Sequence, residues 1–210
     1  WYTGKPLDFR GEFYTHTLMT PMFTPTDTAF GAPKIFLAAV GPLMTQVAGE
    51  VADGIIIHPF TTEKYMREVT LPAIEKGLRK NGRSRDQFEI SYPGFIVTGE
   101  TEESFEMSRQ AICKQIAFYG STPAYAPVLA LHGWGALQPE LNVLSKQGQW
   151  DEMGTLITDE ILAEFAIVAE PDQCIGQFKQ RYAGLVDRTS VGIPARSPEH
   201  RAELLAQLRA

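Results

Sequence analysis

Phe36-Leu37-Ala38-Ala39-Val40-Gly41-Pro42, followed by Ala52-Asp53-Gly54-Ile55-Ile56-Ile57, is the stretch whose reading decides the fold. Residues 35–40 form an unbroken apolar run, and Gly41-Pro42 breaks it. Leu43, Val47 and Val51 then recur at helical spacing, with Met44, Ala48 and Ala52 beside them. That spacing predicts an amphipathic helix whose apolar face carries these side chains. Asp53-Gly54 turns the chain into Ile55-Ile56-Ile57, a second fully apolar strand.

Working outward, Thr61 or Thr62 is placed to cap a helix carrying Tyr65, Val69, Ile74 and Leu78 and ending at Asn81-Gly82, with a break or kink at Pro72. A third strand spans residues 88–97, interrupted by Pro93-Gly94, and Thr101-Glu102-Glu103 opens a long helix reaching about Tyr119. Residues 120–170 read as an irregular helical insertion. Glu170-Pro171-Asp172 starts another helix running to Tyr182. A weak last strand near residues 189–193 and a short helix from Pro198 complete the chain. Before all this, residues 1–34 form a long Thr-, Pro- and Gly-rich connection with one short strand within residues 9–14.

Apolar rather than alternating strands, spaced by helices, mean parallel strands covered on both faces. Either a doubly wound sheet or part of a barrel fits, and four strands cannot close a barrel of eight. Starting at Trp1-Tyr2-Thr3-Gly4 with no Met, the chain is expected to be a fragment. It is read as one domain over residues 1–210.

Charge and composition exclude several classes. A net charge of -6 argues against wrapping a nucleic-acid backbone. With 44% hydrophobic and 21% charged residues, the composition is that of a soluble globular protein, and no apolar run is long enough to span a bilayer. Cys113 and Cys174 lie far apart without metal-ligand spacing, so two buried thiols in a reducing cytoplasm, and no metal, are expected. No nucleophile elbow, Walker loop or dinucleotide glycine fingerprint is present. Arg79, Lys80, Arg83 and Arg85 gather where a helix ends, which suits the helix dipole.

The chemistry is sharpest at Gly41-Pro42. Small residues at the end of a parallel strand let a ligand near the backbone, and the helix that follows offers free N–H groups to a phosphate. A plain strand-to-helix turn explains the same residues. His58 ends the second strand at the same rim, where it either meets a ligand or hydrogen-bonds to backbone. Tyr119, Tyr125, His132 and Trp134 belong to the insertion or its edge, either lining an aromatic pocket or filling the insertion's own core.

The segment from Pro33 to Pro42, with Val47-Ala48-Gly49 and Ala52-Asp53-Gly54-Ile55 after it, resembles the fifth strand, helix and sixth strand of luciferase-like monooxygenases. Residues 57–62 and 131–135 resemble the branch dependent on the deazaflavin coenzyme F-420, and the likeness runs from Trp1 to about Arg188. The resemblance implies the C-terminal half of a (β/α)8 TIM barrel, about strands 5 to 8, with a helical insertion. It implies hydride transfer between the deazaflavin and an organic substrate, in a cytoplasmic, homo-oligomeric enzyme acting on a small molecule. Carried over by motif, Ala38, Ala39, Val40, Gly41 and Pro42, with Met44 more weakly, would meet the cofactor tail. His58, together with Tyr119, Tyr125, His132 and Trp134, would face the substrate. The family's usual proton donors belong to strands that precede this chain, so the catalytic residues are unassigned and the fragment alone is expected to be inactive. Alternatives are an FMN-dependent monooxygenase on the same fold, a non-catalytic half-barrel module, and a phosphate-sugar barrel enzyme.

Overall fold

The computed structural model describes residues 4–24, 26–190 and 192–209. Two compact units result, Trp1–Ile35 and Phe36–Ala210. In the first, strands β1 (Phe9–Arg10) and β2 (Thr15–His16) pair antiparallel, and the Gly11 N–H donates to the Tyr14 carbonyl at 2.8 Å across their turn. The single short strand expected over residues 9–14 is therefore a hairpin.

In the second unit, β3 (Phe36–Ala39), β4 (Gly54–Ile57) and β5 (Glu89–Ser91) form a parallel sheet in chain order. Helix α1 (Pro42–Val51) joins the first two strands. The return to β5 runs through α2 (Glu63–Tyr65), a π-helical turn (Met66–Thr70) and α3 (Leu71–Lys80). The anticipated irregularity at Pro72 takes this form: proline has no N–H to give the preceding turn, and the helix widens just before it. Asn81 caps α3, as its Asn-Gly ending foretold.

The run at residues 88–97 becomes two strands, because Gly94 (φ +62°) turns the backbone after Tyr92-Pro93. The second, β6 (Phe95–Val97), leaves the first sheet and pairs parallel with β7 (Ala166–Val168). Between them lie α4 (Glu102–Gly120), α5 (Ala126–Leu131), α6 (Leu137–Lys146), α7 (Trp150–Thr155) and α8 (Asp159–Phe165). The stretch at 120–170 is thus helical as expected, except that its last part holds a strand. Helix α9 (Pro171–Tyr182) follows, and α10 (Pro198–Arg209) lies near the end. The weak strand anticipated near 189–193 does not form among the described residues, Val191 lying outside them. A single parallel bridge, Arg188 to Ser91, stands in its place.

Two apolar cores result. One lies about the first sheet and includes Ala48, Ile55, Ile74, Leu78, Ile90 and Phe178. The other joins β6 and β7 to the helical insertion through Val97, Ile116, Leu129, Leu141 and Phe165. Both cysteines are buried free thiols.

Helix α1 departs from its hydrophobic pattern. Leu43, Val47 and Val51 are 78%, 38% and 67% exposed, while Thr45, Ala48 and Gly49 are buried. The buried face is the small-residue one because α1 meets α3 backbone to backbone. A Cβ on Gly49 would stand 2.5 Å from the Ile74 carbonyl oxygen, and one on Gly77 only 2.0 Å from the Gln46 carbonyl oxygen. Arg83 closes the end of α1 by donating to the Ala52 carbonyl at 2.6 Å and also to the Gln87 carbonyl at 3.1 Å. Gly77→Ala is expected to cost about 1–3 kcal/mol, since the two backbones must separate. Gly176→Ala, in α9 with open space about it, should instead stabilise by about 0.5–1 kcal/mol. Urea unfolding midpoints of the two variants measure both.

Candidate functional site

The C-terminal ends of β3 and β4 open onto a narrow cavity of about 30 Å³. The β3–α1 turn forms one wall. Gly41 caps α1 with φ +75° and ψ 160°, a conformation that side chains resist, and Pro42 takes the first helical turn with the φ it prefers. The Gly41 carbonyl accepts both the Thr45 N–H (3.2 Å) and the Thr45 hydroxyl (2.8 Å), which fixes the turn. Helical geometry leaves the Leu43 and Met44 N–H groups without an intrahelical acceptor. A Cβ at Gly41 would meet nothing within 4 Å, so the backbone there is open to a neighbouring group.

A second wall comes from the turn after β4. The Phe60 N–H donates to His58 Nδ1 at 3.1 Å, so the ring's proton sits on Nε2. The Thr61 N–H donates to the Pro59 carbonyl at 2.9 Å, which folds the chain tightly back. Thr62 then caps α2 by accepting the Tyr65 N–H at 3.1 Å. The His58 ring stacks on Tyr125 (centroids 4.8 Å, 24°) and meets the edge of Tyr119 (4.6 Å, 86°). Burial pushes the His58 imidazole below its usual range and the Tyr65 and Tyr125 phenols above theirs, so all three are neutral at neutral pH.

Ala39, Val40, Gly41, Pro42, His58 and Tyr125 therefore share one cavity. The other residues singled out from the sequence lie elsewhere. Ala38 is exposed on the face of β3 opposite buried Ala39, and Met44 is 48% exposed, outside the cavity wall. Tyr119 backs the His58 ring without lining the cavity. His132 and Trp134 stack on each other (4.6 Å, 11°), away from the wall. His132 Nε2 lies 2.8 Å from the Thr62 hydroxyl, and Nδ1 lies 3.9 Å from Glu164. The Thr62 hydroxyl thus accepts from the Tyr65 N–H and shares a second hydrogen bond with His132 Nε2, so His132 braces the cap from the insertion side. Thr45, Tyr65, Val69 and Thr70 also line the cavity. Their signal in the sequence was the helical spacing of Tyr65 and Val69, which reads equally well as core.

An open helix N-terminus at the end of a parallel strand, beside a cavity, is the arrangement that α/β enzymes use for ligand sites at the carboxyl ends of their strands. The chain belongs to the luciferase-like monooxygenase family, whose model matches residues 1–188. It is 50% identical over 188 residues to an uncharacterized protein of Mycobacterium tuberculosis, covering 90% of this chain and 55% of that one. A 5,10-methylenetetrahydromethanopterin reductase of Archaeoglobus fulgidus is 28% identical over 197 residues, covering 91% and 56%. The chain thus spans about half the length of the curated relatives it matches. Among solved structures, the coenzyme F-420-dependent tetrahydromethanopterin reductase from Methanopyrus kandleri gives a TM-score of 0.71 at 20% identity, over 97% of this chain and 57% of that one. That likeness establishes the fold, a mixed α/β arrangement of parallel sheets similar to a luciferase-like barrel enzyme.

His58 carries a pH consequence. Its folded-state pKa is depressed, so below the ordinary value of about 6.5 the unfolded chain binds the proton first, and stability falls as pH drops through that window. Urea midpoints at pH 7.5 and 5.5 should show the loss, and His58→Asn should lessen it. An equal pH dependence in both proteins would contradict this.

Proposed function

We propose that the chain forms the C-terminal half of a (β/α)8 barrel, about strands 5 to 8, of an oxidoreductase that uses coenzyme F-420. In this reading it supplies the cofactor's phosphate site and part of the substrate pocket. The observation that carries the reading is the Gly41-Pro42 start of α1, which lines the cavity and is followed directly by the free N–H groups of Leu43 and Met44. Family membership and the F-420-dependent names among its relatives, such as a glucose-6-phosphate dehydrogenase of Nakamurella multipartita at 28% identity over 120 residues, support the choice of cofactor. The fit is chemical as well. No Lys or Arg lines the cavity, so a phosphate would be held by backbone donors and the helix dipole. Gly41 leaves room for it, because a Cβ there would have no neighbour within 4 Å.

Within this assignment Ala39, Val40, Gly41 and Pro42 wall the tail, the backbone N–H groups of Leu43 and Met44 hold its phosphate, and Ala38 lies on the opposite face of β3. The bound deazaflavin would supply the capacity to accept or donate a hydride. His58 holds a proton at Nε2 beside the substrate, and Tyr125 and Tyr119 fix the plane of its ring. Phe60 and Tyr65 shield that end of the cavity from water. His132 serves at one remove, through Thr62. The working unit would be a homo-oligomer acting on a small molecule in the cytoplasm. No helix among the described residues is long and apolar enough to cross a membrane.

Titration of coenzyme F-420 into the complete barrel, followed by its fluorescence and with FMN in parallel, tests the reading; residues 1–210 alone should bind poorly. Saturable deazaflavin binding, weakened at least about tenfold by Gly41→Asp, is the expected result, since a carboxylate there repels phosphate and strains the positive φ. Preference for FMN would make the chain part of an oxygen-using monooxygenase. Binding of neither would leave the fold without this activity.

A further inference from the structure

The hairpin unit is the part of the chain whose large aromatic side chains stand exposed. Among the described residues from Gly4 to Ile35 none is buried. Phe9, Phe13, Tyr14, Phe23 and Phe30 are 54%, 82%, 71%, 67% and 97% exposed, and Leu18 and Met22 are exposed as well. At roughly 150–250 Å² for each aromatic side chain, the five rings present about 550–900 Å² to solvent. An apolar surface of that size marks an interaction site where it is gathered together.

The hairpin gathers part of it. Phe9 lies directly opposite His16 and Arg10 opposite Thr15, so one face carries rings and the other polar side chains. On the ring face His16 stands 6.4 Å from Phe9 and 6.2 Å from Tyr14, centroid to centroid. Gly11 makes room for this row, since a Cβ there would lie 2.9 Å from the Phe9 ring. Arg10, on the other face, donates to Asp8 at 2.8 Å. A two-stranded hairpin is marginal by itself in water, and strands of two residues need a layer against their apolar face. Charge selects what that layer is. Lys5, Arg10 and Lys34 balance Asp8, Glu12 and Asp27, so the unit is neutral. The whole excess of -6 therefore belongs to residues 36–210. A cationic protein would be drawn there rather than to a neutral hairpin, and an anionic bilayer would be repelled. Two copies of the chain repel each other through their acidic surfaces, and a neutral apolar face lets them meet.

We propose that the ring face of the hairpin is an interface between two copies of this chain, paired about a two-fold axis. Phe9, Tyr14 and His16 of one copy stack on the same row of the other, an isologous contact in which one patch is its own complement. The axis sets each Tyr14 close to that of the second copy. The area fits, because a standard interface takes about 800 Å² from each partner, within the range that the exposed rings supply. The inference rests on the homo-oligomer proposed above and names its surface, and it is independent of the cofactor.

Analytical ultracentrifugation of the complete barrel that carries this chain tests the pairing, with Tyr14→Lys, Tyr14→Glu and Val51→Ser as variants. The parent should be a dimer at micromolar concentrations, and each Tyr14 variant should associate at least about tenfold more weakly, since like charges then face each other. An equimolar mixture of Tyr14→Lys and Tyr14→Glu should recover to within about threefold of parent, because opposite charges then meet. A hairpin merely unfolded by either substitution would show no such recovery, which separates lost contact from lost structure. Val51→Ser, which removes an exposed apolar side chain of α1, should leave association unchanged. A monomeric parent, its capture by phosphatidylcholine vesicles, Tyr14 variants within about twofold of parent, a mixture without recovery, or dissociation by Val51→Ser each overturns the proposal. An oligomer unmoved by the Tyr14 variants overturns this surface while the proposed homo-oligomer stands. Deazaflavin binding is read separately by fluorescence, and its absence from a parent that pairs as expected overturns the proposed cofactor alone.

Discussion

The approach of α1 to α3 is the constraint on which the rest of the second unit hangs. Gly49 and Gly77 let the two helix backbones touch, and neither position could carry even a methyl group. Because both helices also pack on the parallel strands, this contact fixes where α1 begins. It begins at Gly41, at the end of β3, and its first turn faces the end of β4. The juxtaposition of helix N-terminus, His58 and Thr61 is therefore inherited from two glycines far from any ligand. Stability and site geometry share one origin here.

The same contact explains why part of the fold was legible from residue patterns and part was not. Hydrophobic periodicity finds large apolar side chains, and on α1 those are Leu43, Val47 and Val51. A backbone-to-backbone contact selects the smallest residues instead, so Thr45, Ala48 and Gly49 go inward and the larger ones outward. The β3–α1–β4 succession itself was plain, because unbroken apolar runs and a Gly-Pro break have few other uses in a parallel fold. Helix ends with side-chain chemistry were equally plain, as at Thr62, Thr101 and Asn81. Strand β7 was not, since three apolar residues between two helices look like more helix.

At the site, the residues next to the Gly-Pro break were readable, and of those brought in from the insertion Tyr125 was singled out whereas Ala124 and Val128 were not. Ala39 to Pro42 and His58 sit at strand ends, where topology delivers side chains to one rim. Tyr125 reaches the same cavity from the insertion, beyond a 19-residue helix. The partnership of His132 with Thr62 spans 70 residues and leaves no local trace. Thr61 was visible only as a rival for the helix cap.

The widened turn at Met66–Thr70 has a consequence for how this rim could have arisen. A π turn holds one residue more than the α-helical path needs, and each residue turns a helix by about 100°. Tyr65, Val69 and Thr70 all reach the cavity across that extra residue. In an unbroken α-helix of the same course Tyr65 and Val69, four residues apart, would still share a face, but Thr70 would be turned about 140° away from Tyr65. A single-codon insertion in an ancestral helix would suffice to bring them together, while Gly77 kept its place against α1. The pocket wall could thus be reshaped without disturbing the scaffold beneath it.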